Sequence, residues 1–71
     1  MTIKAGQAYK HYKGHICKII GIAIHSETEE ELVIYSHFHN GVEQLWARPT
    51  KMFLENVDIN GYKGPRFLLL E

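Results

Sequence analysis

The chain has 71 residues, with 8 Lys plus Arg balanced by 8 Asp plus Glu, and a single Cys. This length suits one domain over residues 1–71 and excludes a multi-domain machine. The lone Cys excludes an intramolecular disulfide framework, and zero net charge removes the simplest case for a nucleic-acid binder.

The first segment, Met1 to Lys13, has no apolar core and does not read as a signal peptide. No unbroken apolar run exceeds four residues, far short of a membrane-spanning helix. The expected compartment is therefore the cytoplasm. Lys4, Lys10, Lys13 and Lys18 open the chain with no acid among them, whereas Glu27, Glu29, Glu30 and Glu31 crowd one short stretch. The balance is global, and locally the charge is polarised.

His15 to His25 reads as a strand rich in Ile, because β-branched side chains suit a pleated surface. Ile19 breaks the even series Ile16, Ile20, Ile22 and Ile24, so the strand is expected to bend or bulge, with Gly21 as the bend point. Glu27 to Glu31 is a polar connection. Ser26-x-x-Glu29 and Thr28-x-x-Glu31 match capping boxes, but no 3.6-residue apolar period follows them. Leu32 to Phe38 is a second strand, with Val33, Tyr35 and His37 on one face. Asn40-Gly41 predicts a tight turn, and Gln44 to Arg48 returns antiparallel. Pro49 ends that ladder, and Pro49 to Phe53 predicts one helical turn. Asn60-Gly61 predicts a second hairpin, between Phe53–Ile59 and Arg66–Leu70. The expected fold is all-β: a small SH3-like β-barrel of five or six short antiparallel strands with one short helical turn. Closure of the barrel would remove the exposed edges.

Chemistry-bearing groups are sparse. His37 with His39, and His15 with Cys17, are two apart and share a strand face, yet no further ligand stands at zinc spacing, so neither a metal nor a cofactor is expected. His25 and Ser26 are adjacent and point to opposite faces, a poor start for a nucleophile and base. No Gly-rich phosphate loop is present. Aromatics interleaved with basic residues are the stronger signal: Tyr9, His11, Tyr12 and Lys13; Trp46 with Arg48; Arg66 with Phe67. Rings stack on bases or hold cations, and Arg binds phosphate or carboxylate through paired hydrogen bonds.

The segments His11-Tyr-Lys-Gly14, His25-Ser-Glu-Thr28, Leu45-Trp-Ala-Arg-Pro49 and Pro65-Arg-Phe67, in this order, resemble a family of small bacterial proteins known as domain of unknown function 1653. The resemblance implies a compact, mainly β domain and no defined activity. It marks His11, Tyr12, Lys13, His25, Ser26, Glu27, Thr28, Trp46, Arg48, Pro49, Arg66 and Phe67 as characteristic positions. The leading expectation is a non-catalytic binding module for nucleic acid or peptide. Its ligand-binding residues are His11, Tyr12, Lys13, His25, Ser26, Glu27, Thr28, Trp46, Arg48 and Arg66. Two alternatives stand beside it. One is a small-molecule or catalytic site centred on His25 and Glu27. The other is an assembly domain that forms a homo-oligomer through Phe67 to Leu70.

Overall fold

The computed structural model describes residues 3–70. In chain order it contains β1 (Ala8–His11), β2 (Ile16–Ile24), β3 (Glu31–His39), β4 (Val42–Pro49), α1 (Thr50–Phe53), β5 (Asn56–Ile59), β6 (Tyr62–Pro65) and β7 (Phe67–Leu70). Five strands form one antiparallel sheet in the order β4-β3-β2-β1-β7, and β5 pairs with β6 separately.

Both Asn-Gly pairs make the tight hairpins their chemistry favours. Asn40 and Gly41 have φ of 54° and 78°, and Asn60 and Gly61 have φ of 51° and 84°. Two successive residues at positive φ match the right-handed twist of the flanking strands. The first turn joins β3 to β4 through His39 and Val42, and the second joins β5 to β6 through Ile59 and Tyr62.

The break in the isoleucine pattern is a β-bulge. Ile19 lies opposite Tyr35 and Gly21 lies opposite Ile34, so Ile20 is the extra residue. Before the bulge Cys17 and Ile19 point inward and are buried; after it Ile22 shares a face with Val33. A bulge of this kind bends its strand and raises the local twist. Gly21 stands at the shift, as the sequence pattern predicts.

The inner face of the bent sheet carries the core: Ile3, Tyr9, Cys17, Ile19, Val33, Tyr35, Phe53 and Phe67. Phe53, the only buried residue of α1, supplies the plug. Its ring lies 4.0 Å from that of Phe67 at 6°, and meets Tyr9 edge-on at 5.2 Å.

Two expectations are corrected. The sheet does not close into a barrel: β4 and β7 are its two edges, and no ladder joins them. The residues that could have closed it form the separate β5–β6 hairpin. For the same reason Asn60-Gly61 does not return into Arg66–Leu70. The returning strand is Tyr62–Pro65, and Phe67–Leu70 crosses to the main sheet, where it pairs with β1 from Ala8–Leu70 to His11–Phe67. Among the described residues no helix is long and apolar enough to cross a membrane.

Candidate functional site: a column of stacked rings beside basic residues

The β1–β2 turn is built around one histidine. The His11 carbonyl accepts from Gly14 N–H at 2.8 Å, His11 N–H donates to the His15 carbonyl at 2.8 Å, and Gly14 sits at φ 108°. This is a three-residue hairpin loop ending in glycine at positive φ. Lys13 N–H also donates to His11 Nδ1 at 3.1 Å, so that nitrogen carries no proton and the ring is neutral. Burial is the main cause that lowers the His11 pKa to about 4, and His15, Arg48, Arg66 and Lys13 act in the same direction.

From His11 the rings continue in both directions. On one side Tyr12 lies 4.5 Å away, and Tyr62 stacks on Tyr12 at 5.6 Å and 14°. On the other, His15 stacks on His11 at 4.5 Å and 9°, His37 on His15 at 4.5 Å, and Trp46 on His37 at 4.8 Å and 4°. Six rings from four segments therefore form one column. Neighbouring rings cover the inner faces, so ring edges and the two end faces, Tyr62 and Trp46, are what a ligand could meet. The carbonyl of Phe38 lies 3.0 Å from His37 Nδ1 and can only accept, so that nitrogen donates to it. Burial, then His37 and Lys13, lower the His15 pKa.

Cations gather at the same place. Arg48 donates from Nε to the Tyr35 hydroxyl at 3.4 Å, and its guanidinium lies 5.8 Å from the Phe67 ring centre. Phe67 in turn meets His11 edge-on at 4.9 Å. Arg66 pairs with Glu55 at 3.0 Å, the one ion pair among the described residues. Lys13 and Arg48 thus have no carboxylate partner there. A groove of about 220 Å³ lined by Lys10, His11, Tyr12, Tyr62 and Leu68 opens beside the Tyr62 end.

His11, Tyr12, Lys13, Trp46, Arg48 and Arg66 are therefore brought together. His25, Ser26, Glu27 and Thr28 are not. They form the β2–β3 turn, and β2 runs nine residues, about 27 Å of extended chain, before reaching it. The hydrogen bonds made by these four are local. Glu27 and Thr28 N–H groups donate to His25 Nδ1 at 3.1 and 3.3 Å, and Glu30 N–H donates to Thr28 Oγ1 at 3.2 Å. His25 holds a turn in which Glu29 stands at φ 61°. Replacing His25 by Ala is expected to lower stability by about 1 kcal/mol in urea denaturation, the scale of a lost helix cap, while His25→Asn keeps most of it.

His15, His37 and Tyr62 join the site without having been singled out for it. The signal for His37 lies in its strand parity with Tyr35. Tyr62 leaves no such trace, because only tertiary packing sets it on Tyr12. Among the described residues no cluster of three or more His, Cys, Asp or Glu could hold a metal. Burial pushes the Cys17 thiol up to about 11, so it stays protonated, a small buried hydrophobe.

Comparison with known proteins decides the family. The model of "Protein of unknown function (DUF1653)" matches residues 7–69. The chain belongs to this family. The DUF1653 chain is also similar to a solved structure, that of a DUF1653 protein from Bordetella bronchiseptica, at 29% identity and a TM-score of 0.80, covering 96% of this chain and 87% of that one. No curated protein matches the sequence. The overall fold is thus shared with a solved relative, and the family description assigns no activity.

Proposed function

We propose that this DUF1653 protein is a non-catalytic binding module that takes single-stranded nucleic acid on the ring column. One observation carries the reading: six rings run in sequence from Tyr62 to Trp46, stacked at every step but the 32° tilt between Tyr12 and His11, while Lys13 and Arg48 stand beside them without a carboxylate partner. The exposed ring of Tyr62 suits a base, and unpaired cations suit the phosphates. Glu27, Glu29, Glu30 and Glu31, half of the eight acids, lie at the far end of β2 and do not oppose an anion here. Cytoplasmic residence accords with one unpaired, buried Cys.

The alternative centred on His25 and Glu27 has less behind it. His25 Nδ1 already accepts two backbone N–H groups of its own turn, and Glu27 is exposed.

Amide chemical-shift titration tests the proposal. An oligouridylate of about ten nucleotides is expected to move His15, His37, Tyr12 and Lys13 and to quench Trp46 fluorescence. Lys13→Ala should weaken binding and lower the salt slope by about one. Duplex DNA and an acidic peptide serve as controls. No response to the oligonucleotide, or a response to the peptide alone, refutes the reading.

A further inference from the structure

The two edges of the main sheet are guarded differently. β4 carries Glu43, Arg48 and ends in Pro49, the usual devices that keep an edge from pairing. β7 is Phe-Leu-Leu-Leu, with no charge and no proline, and its only ladder is to β1. Alternate residues of β7 therefore turn backbone N–H and C=O groups away from β1 with no strand to receive them. Along this edge lies an apolar groove of about 350 Å³ lined by Tyr9, Leu54, Pro65, Phe67, Leu68 and Leu69. The Tyr9 hydroxyl is buried without a hydrogen-bond partner among the described residues.

The surface area of the whole molecule leaves room for a second copy. The protein exposes 5122 Å². A compact monomer of 8.2 kDa exposes about 4,500 Å². The excess, about 600 Å², is what one partner of a small stable dimer buries. Leu68 alone is 56% exposed, and the same outer face carries Ile16, Phe38 and Leu45, all exposed.

We infer that β7 pairs antiparallel with β7 of a second copy, joining two five-stranded sheets into one of ten. Strand parity narrows the register: residues opposite one another across an antiparallel ladder share a face, so one residue sits opposite its own copy on the two-fold axis. We place Leu68, 56% exposed, at that position, which sets Phe67 opposite Leu69 of the partner subunit. That leucine enters on the groove side, next to Phe67. The opposite face brings the two Leu68 side chains together. Charge does not oppose the pairing. Lys10 lies opposite Leu68 within each copy, so the two Lys10 residues stand three strand spacings apart, about 14 Å, beyond the screening length of about 8 Å.

Sedimentation velocity of the full chain tests this. A species of twice 8.2 kDa is expected at tens of micromolar. Leu68→Lys would set two ammonium groups directly opposite one another and should raise the dimer Kd by about tenfold or more with an unchanged circular dichroism spectrum. Leu68→Cys, a milder change that also decides the matter if the lysine variant does not fold, should form an intermolecular disulfide on oxidation, since buried Cys17 does not compete. A wild-type chain that stays monomeric at hundreds of micromolar overturns the inference. So does a dimer indifferent to Leu68→Lys, or a Leu68→Cys chain that folds and does not cross-link.

Discussion

Replacing Phe53 by Ala should remove a large share of the protein's stability. Phe53 has no exposed surface, and its ring touches three others: Phe67 at 4.0 Å, Tyr9 at 5.2 Å and Tyr35 at 5.6 Å. Large-to-small substitutions at such sites cost about 3–5 kcal/mol, since the transfer free energy is lost and a cavity remains. A chain of this length has a total stability of roughly 4–10 kcal/mol. The open sheet worsens the case. Its edges β4 and β7 are not joined, and a single turn of helix has no stability of its own, so α1 depends on this ring for its hold on the core. The expected result is a urea midpoint moved far towards zero, with near-ultraviolet circular dichroism lost at low denaturant. Phe53→Leu, which nearly preserves volume, should fold with a loss of about 1.5 kcal/mol. A Phe53→Ala chain with a native spectrum and an unchanged urea midpoint would show that the ring is dispensable.

How far the sequence speaks follows from the range of the interaction involved. The Asn40-Gly41 and Asn60-Gly61 turns are local chemistry, two residues that tolerate positive φ, and both form as expected. The bulge at Ile19–Gly21 is also legible, because a parity break in an apolar series is a local signal of a strand changing faces. Pairing of β7 with β1 is not. His11 and Phe67 are separated by most of the chain, and nothing near either names the other. Gly64-Pro65 reads as a breaker, so the short Tyr62–Pro65 strand is masked and the hairpin is assigned to the wrong return segment. The site divides in the same way. His11-Tyr12-Lys13 and Trp46-x-Arg48 are visible as local clusters. The column that joins them needs His37 opposite Gln44, Trp46 opposite Tyr35 and Tyr62 from a separate sheet, which are consequences of register and packing. The His25–Thr28 segment shows why polar residues alone do not mark a site: the hydrogen bonds of a tight turn need the same donors and acceptors.

Acidification should destabilise the protein between pH 6.5 and about 4, through His11 above all. In the unfolded chain this imidazole titrates near 6.5. In the folded state burial first, then His15, Arg48, Arg66 and Lys13, lower its pKa to about 4. Between those values the unfolded chain binds a proton that the folded chain refuses, so stability present above pH 6.5 drains away as the pH falls towards 4. The full effect is about 3 kcal/mol, much of what a chain this small possesses. His15, whose pKa is lowered by burial, His37 and Lys13, pulls in the same direction. Geometry gives the reason. Protonating His11 at Nδ1 would break its bond from Lys13 N–H at 3.1 Å and set a positive ring 4.5 Å from His15. Urea denaturation across this range should show the midpoint falling steadily. His11→Asn keeps an acceptor near the Lys13 amide but cannot titrate, so its stability should fall far less over the same interval, although it starts lower for want of the ring against Phe67. A His11 imidazole resonance that titrates near 6.5 in the folded protein, or a His11→Asn variant as acid-sensitive as wild type, would assign the effect to other groups.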